Sequence, residues 1–204
     1  SYCGWKIDIH NLFFDKFNNL MREIIYFFIL ITAFSCSSSV LYSELTHDDG
    51  VSFYNEKKFS GVAIEKDKFD NIRVEKLYNE GINLSTKLFD SKGNIESEWI
   101  YATSNILVTR FFDSGKVESK EVFTRSLVRN GESISFYRNG NKKSEWNFRD
   151  GLRDGIQKNY FANGKLSDER EMSNGNENGF TRIYNREGEL LKEIFFKNGI
   201  ATKI

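Results

Sequence analysis

The sequence predicts an all-β protein, an elongated single sheet built as a stack of antiparallel β-hairpin repeats with a period of about 24 residues. Three observations predict this fold. Glycines recur in three series at the same spacing, and large aromatic residues recur in step with them. Proline is absent from all 204 residues, so no strand loses a ladder hydrogen bond to a missing N–H.

Glycines mark the predicted turns of each unit. The middle glycine of each unit is taken as its origin, and it follows an aromatic strand ending in Asn or Asp-Ser, residues that suit tight hairpin turns. A second turn is predicted 11 residues later. A helical repeat would not carry three glycines per unit. The predicted repeat turns are Gly93, Gly115, Gly131, Gly140, Gly151, Gly155, Gly164, Gly175, Gly179, Gly188 and Gly199.

Aromatic and large apolar side chains recur four residues before each origin and six or eight residues after it. These offsets are even, and residues at even spacing along a strand share one face. The sequence therefore predicts an aromatic face, which either fills the packed side of the sheet or stays available to a partner. Its members are Phe89, Trp99, Tyr101, Phe111, Phe123, Phe136, Trp146, Phe148, Tyr160, Tyr184 and Phe196.

Two successive units carry the pattern most fully: Phe148, Gly151, Gly155, Tyr160, Asn163 and Gly164, then Met172, Gly175, Gly179, Tyr184 and Gly188. They resemble MORN-type repeats, and more narrowly the bacterial variant of the YwqK-type antitoxin-like and MORN-repeat lipoprotein families. The segment 53–64 is similar to an opening unit, with Gly61 in the place of Gly155. The resemblance implies a repeat domain over 51–204 with a binding or scaffolding role and no catalysis.

MORN repeats also adjoin the kinase domain of some phosphatidylinositol-4-phosphate 5-kinases. A protein with these repeats can therefore be given the kinase name although the repeats themselves imply no kinase activity. The sequence has no Gly-rich phosphate loop and no H-R-D or D-F-G element. We therefore predict a protein that is not an enzyme and needs no cofactor.

Two acidic patterns in the sequence could indicate a catalytic or a metal-binding site. Glutamates recur five residues after the origins, and this odd offset favours an exposed row beside lysines over a pair of glycosidase carboxylates. That row is Glu98, Glu145, Glu169 and Glu193. The triplet His47-Asp48-Asp49 favours a polar linker over a metal site, because three adjacent residues rarely converge on one ion. No metal site is predicted.

The first fifty residues predict export. Residues 21–35 have a charged start, a short apolar run and small residues before Cys36, as in a secretory signal peptide. Cys36, followed by serines, resembles the acylated cysteine of bacterial lipoproteins, although Ala33 and Phe34 depart from that pattern. Plain cleavage and an uncleaved anchor are the alternatives. Residues 1–20 are interpreted as an upstream or fragment leader, and 36–50 as a polar tether.

Charge limits the partners. Basic and acidic residues number 29 each, and removing 1–35 takes three of each away, which leaves 26 against 26. A neutral chain argues against nucleic acid, whose affinity depends on phosphate neutralisation. The prediction is an envelope protein, anchored to a membrane or else secreted or periplasmic, that binds a protein or another envelope component. An antitoxin-like partner of a toxin is the alternative.

Overall fold

A computed structural model describes residues 39–202 of the chain. The predicted leader 1–20, the signal peptide 21–35 and Cys36 lie outside the described residues. Within them the structure has eighteen strands, one short 3-10 turn at Tyr42–Glu44 and no α-helix. The all-β prediction is confirmed.

The first nine strands are β1 (Val40–Leu41), β2 (Thr46–Asp48), β3 (Val51–Tyr54), β4 (Lys57–Lys58), β5 (Gly61–Lys66), β6 (Ile72–Asn79), β7 (Ile82–Phe89), β8 (Ile95–Tyr101) and β9 (Asn105–Phe111). The remaining strands are β10 (Val117–Thr124), β11 (Arg129–Phe136), β12 (Lys142–Arg149), β13 (Leu152–Arg153), β14 (Gly155–Tyr160), β15 (Leu166–Ser173), β16 (Asn176–Tyr184), β17 (Leu190–Lys197) and β18 (Ile200–Thr202).

One 15-stranded sheet contains nearly all of these strands in chain order, each antiparallel to the next, from β5 to β18. The short strand β13 pairs only with β12, which then also pairs with β14. Strand β1 lies beside β5 and is parallel to it. The stack of antiparallel hairpins is therefore present, with one parallel strand at its edge.

Two kinds of turn alternate along the stack. Two-residue turns with positive φ at both positions, the type I′ requirement, join strands at Asp150-Gly151, Asn174-Gly175 and Asn198-Gly199. Longer turns end at a residue of positive φ whose N–H bonds the carbonyl three residues back, as in Gly140 to Tyr137 at 2.9 Å. Leu127 occupies this position between β10 and β11 with φ 60°.

Three of the predicted turn glycines are not turns. Gly131, Gly155 and Gly179 belong to strands β11, β14 and β16, at places where the register shifts against the neighbouring strand. The prediction was wrong there because a β-bulge also needs a residue of positive φ, and glycine supplies it. Each of these glycines pairs with a large apolar residue of the next strand, respectively Phe148, Met172 and Phe196.

Each bulge is bonded to the following two-residue turn. The N–H groups of Gly151, Gly175 and Gly199 donate to the carbonyls of Arg129, Arg153 and Glu177 at 2.8 to 2.9 Å. A second hydrogen bond lies beside each of these. The backbone N–H of the first turn residue donates to the side chain of the residue before the bulge glycine, as Asp150 N–H does to Asn130 Oδ1 at 3.3 Å. Asp154 and Asn178 accept in the same way. These bonds recur at the repeat period and tie each hairpin to the one before it.

The N-terminal end of the sheet carries the hydrophobic core. Strands β2, β3 and β4 form a separate three-stranded sheet, and the buried cluster is Leu45, Phe59, Ala63 and Tyr78. The predicted opening unit 53–64 lies here. The Gly81 N–H bonds Phe59 O at 2.8 Å, and the Glu80 N–H bonds Ser60 Oγ at 2.8 Å, the same two bonds as in later repeats.

The described part of the segment 36–50, for which the sequence indicates a tether, is folded into this end. Val40 and Tyr42 pack against the core cluster, and Leu45 is part of it. The apolar residues among the polar ones supply the contacts that a solvated tether would lack. Terminal units of repeat proteins commonly cap the stack in this manner.

The first testable prediction concerns the bulge glycines. A Cβ at Gly179 would lie 2.7 Å from the Glu171 Cβ, whereas at Gly155 the nearest atom would be the Asn147 Cβ at 3.8 Å. Both sites have positive φ, so we expect Gly155→Ala to cost about 1 kcal/mol of unfolding free energy and Gly179→Ala about 2 to 4 kcal/mol. Urea denaturation of the two variants measures the difference, and equal losses would contradict the bulge geometry.

Candidate functional site

The two faces of the sheet carry different chemistry. We call the face with Trp99 and Trp146 the groove face, and the face with Glu145, Glu169 and Glu193 the glutamate face. Strand registers place Ser133 beside Trp146 and Glu121 beside Ser133, so these side chains share the groove face. Neighbouring residues along each strand point to the opposite face.

The predicted aromatic face is divided between these two faces. The residues six or eight positions after each origin lie on the groove face: Trp99, Tyr101, Phe123, Trp146, Phe148 and Phe196. Those four positions before it lie on the glutamate face: Phe89, Phe111, Phe136, Tyr160 and Tyr184. A register shift beside each turn adds a residue, so an even count across the turn no longer keeps a side chain on the same face. All eleven side chains are half-buried.

A ladder of alternating charge crosses the glutamate face. Lys158 lies 3.6 Å from Glu169, and Arg182 bridges Glu169 at 3.2 Å and Glu193 at 2.6 Å. Opposite charges placed across strands stabilise a sheet by a few tenths of a kcal/mol per pair. The predicted row of glutamates beside basic residues thus acts as a structural ladder in three of the repeats.

Glu145 has an additional partner at the start of this ladder. Lys142 pairs with its carboxylate, and the Tyr160 hydroxyl donates to the other carboxylate oxygen. Burial alone would raise the pKa of Glu145, but these hydrogen bonds outweigh it and hold the pKa below its ordinary value. Burial and the same carboxylate raise the pKa of Tyr160 well above its ordinary value.

An open groove of about 250 Å³, lined mostly by polar and charged residues, lies on the groove face over the middle of the sheet. We call it the serine groove, and its lining residues are Ser119, Glu121, Arg129, Ser133, Ser135, Lys143, Ser144, Trp146 and Asn159. Its floor is a straight row across four strands, in which Ser135 pairs with Ser119 on one side and with Ser144 on the other, and Ser144 pairs with Asn159. The groove therefore runs across the strands.

Some hydroxyl and amide groups of the floor are already hydrogen-bonded to other side chains, and others are not. Ser135 Oγ and Ser144 Oγ bond each other at 2.7 Å, and Asn159 is held by Asp168 at 2.9 Å. Within residues 39–202, the hydroxyls of Ser119 and Ser133 make no side-chain hydrogen bond. Each hydroxyl offers one donor and two acceptors to a molecule in the groove.

One buried carboxylate organises the cations of the groove. The Glu121 side chain is only 6% exposed and is paired with Arg110 and, at 2.7 Å, with Arg129. A buried carboxylate without partners would be costly, so the two guanidinium groups are fixed in place by it. Their side chains remain 41% and 47% exposed, which leaves N–H groups facing solvent.

Lys143 enters the groove because of a bulge. The register shifts between Ser135 and Phe136, since their partners are Ser144 and Lys142, and Lys143 is the extra residue between them. Bulges redirect side chains in this manner. Two cations of the groove lining, Arg129 and Lys143, therefore stand against the single carboxylate of Glu121, a formal excess of +1, and Arg110 pairs with Glu121 from outside the lining.

Trp146 forms a fixed wall of the groove. Its indole N–H donates to Asn159 Oδ1 at 3.0 Å, and the Arg153 guanidinium lies 4.0 Å from the ring centroid. Phe148 packs edge-on at 6.4 Å. The ring is thus held in one orientation before any ligand arrives, which lowers the entropy lost on binding.

The described residues contain no group of three His, Cys, Asp or Glu side chains placed to hold a metal ion. The His47 ring bonds Ser52 Oγ at 2.9 Å and packs 5.0 Å from the Tyr42 ring, and Asp49 begins a hairpin turn. Residues 39–202 include no helical segment with the length and hydrophobicity needed to cross a bilayer.

Sequence reasoning found Trp146 but missed the serine groove. A signal was present: the positions seven and five residues before an origin and four after it hold Ser133, Ser135 and Ser144 in one unit. The other units have serine at one of these positions at most, Ser97 or Ser119, and larger residues such as Leu88 and Ile183 at others. Three serines at these positions of one unit indicate a depression in the surface of the sheet.

Comparison with known proteins agrees with the hairpin geometry. The family model for the MORN repeat variant matches residues 129–150 and 153–174, which are the hairpins around Gly140 and Gly164. These two units are similar to MORN repeat variants. Repeats of this class are characteristic of non-catalytic binding or scaffold modules.

No curated protein matches the chain. Among solved structures, one titled "Crystal Structure of TarM" is similar at 19% identity with a TM-score of 0.32. The similarity covers 56% of this chain and 19% of that one, so the chain spans less than a fifth of its length.

The second prediction concerns Tyr160. Tyr160→Phe removes the donor to Glu145, and we expect a loss of about 1 kcal/mol of unfolding free energy at neutral pH. Because the pKa of Glu145 is lowered in the folded state, its stabilisation is present above the pKa of the unfolded chain and is lost as pH falls through the folded value. The difference between wild type and variant should therefore shrink in acid, as measured by urea denaturation across pH.

Tyr184→Phe is the matched control, since Tyr184 occupies the equivalent position one repeat later. The glutamate of that repeat, Glu169, is instead paired with Lys158 and Arg182. A pH-independent loss for Tyr160→Phe, or an equal loss for both variants, would contradict this role of the hydroxyl.

Proposed function

We propose that this protein is a non-catalytic binding module of the bacterial cell envelope, tethered to a membrane through Cys36, with the serine groove as its binding surface. The main observation that supports this proposal is the groove itself. It is a depression with exposed cations and available hydroxyls in the middle of a fully paired sheet. The two MORN repeat variants support a binding role, since they form that sheet region.

The tether rests on sequence. Cys36 follows a short apolar run and precedes three serines, and the folded domain begins at Val40 within a few residues of it. An acyl group on Cys36 would hold the repeat domain close to the membrane surface, with its groove facing molecules of the envelope.

The third prediction tests the tether. Cells expressing the chain in labelled palmitate should incorporate label into the wild type and not into Cys36→Ala, because the thiol is the acylated group. Cys3→Ala serves as control and should keep the label, since Cys3 lies in the predicted leader. An unlabelled wild type would overturn the lipid anchor and leave secretion as the alternative.

The fourth prediction tests the binding role. The immobilised chain should retain a component of a solubilised envelope extract, and replacing the exposed groove residue Lys143 by Met should reduce the retained amount about three- to tenfold. Lys192→Met is the matched control, because Lys192 is exposed on the same face two repeats away.

Identity of the retained component distinguishes the two functional interpretations. An envelope component lost with Lys143→Met supports the proposal. Retention of a toxin encoded beside this protein would support the antitoxin-like alternative instead, and equal retention by both variants would exclude the groove as the binding surface.

A further inference from the structure

We infer that the serine groove binds an acidic saccharide, a sugar that carries a carboxylate or a phosphate group. The inference rests on the proposed binding function and names the chemistry of its ligand. Three properties of the groove support it: its charge, its hydroxyl-rich floor and its position within the sheet.

Charge favours an anion. The two lining cations Arg129 and Lys143 exceed the one lining carboxylate, Glu121, by one charge, although the chain as a whole has equal numbers of basic and acidic residues. The excess is therefore local to this surface. Guanidinium groups already fixed by Glu121 present their remaining N–H groups in a set geometry, which suits a carboxylate or phosphate group.

The floor favours a polyhydroxylated ligand. Ser119 and Ser133 have hydroxyls available near Ser135 of the Ser135–Ser144 pair, and these act as both donors and acceptors, as sugar hydroxyls do. Trp146 adds an aromatic surface to the wall of the groove. An acyl chain would leave this polar floor unsatisfied, which disfavours a lipid in the groove.

Position disfavours an extended peptide. Peptides usually bind a sheet by adding a strand to its edge. The strands beneath the groove, β10, β11 and β12, are paired on both sides, so their backbone groups are not available. Recognition in the groove must come from side chains alone, and those side chains are hydroxyls, cations, one amide, one carboxylate and one indole.

Calorimetric titration of the full chain is the fifth prediction and tests the inference. The probes are an oligosaccharide of uronic acid, a hexose phosphate, a neutral trisaccharide and vesicles of anionic phospholipid. We expect binding of one or both acidic saccharides, weakened by added salt, and no comparable binding of the neutral sugar. The two acidic probes distinguish a carboxylate ligand from a phosphate ligand.

Two variants localise the site. Lys143→Met should weaken acidic saccharide binding about three- to tenfold, and Ser133→Val by a similar factor, while Lys192→Met leaves it unchanged. Circular dichroism confirms that each variant keeps its sheet. Lys143 is exposed, so its replacement leaves the folded state intact even where Ser133→Val does not.

Several outcomes overturn the inference: equal binding of the neutral trisaccharide, binding of vesicles without either saccharide, unchanged affinity in both groove variants, or no saccharide binding. Retention of an envelope protein together with no saccharide binding would refute the saccharide and leave the proposed binding function standing. Saccharide binding together with an unlabelled wild type in the palmitate experiment would refute only the tether.

Discussion

The architecture depends on one recurring hydrogen bond, from the N–H of a turn glycine to a carbonyl in the preceding hairpin. It joins Gly151 to Arg129, Gly175 to Arg153 and Gly199 to Glu177, and the same bond joins Gly81 to Phe59 at the capped end. The buried hydrophobic cluster lies at one end of the sheet, and beyond it the described residues bury few apolar side chains, namely Ile64, Ile106 and Val108. The recurring bond therefore helps to fix the offset between hairpins. With that offset fixed, the cross-strand rows of both faces align, and charge ladder and groove follow.

Much of the repeat could be predicted from sequence because turns have strict chemical requirements. Gly140 and Gly164 were placed correctly, since an Asn-Gly pair preceded by an aromatic strand specifies a tight turn. Gly155 and Gly179 were misplaced because bulges have the same requirement for positive φ as turns. The extra residue beside each turn then defeated the even-offset argument and put Tyr160 on the opposite face from Trp146.

The candidate site was beyond sequence reasoning for a different reason. A groove forms where neighbouring strands all carry small side chains at adjacent positions. The serines on β10, β11 and β12 indicate such a groove only when the strand registers place them side by side. The role of Glu121 is also hidden in the sequence, because its two partners, Arg110 and Arg129, lie on two different strands. Its burial converts two flexible side chains into a fixed cationic surface, which is the electrostatic basis of the binding role proposed above.

The bonds between successive hairpins also bear on how the protein can evolve. Asn130, Asp154 and Asn178 perform the same task at intervals of 24 residues, so removing one whole unit would leave every remaining bulge facing an equivalent turn. Recombination within the gene can therefore shorten or lengthen the stack by whole hairpins without a matching change elsewhere. We therefore expect proteins of this architecture to differ in length mainly by whole hairpin units.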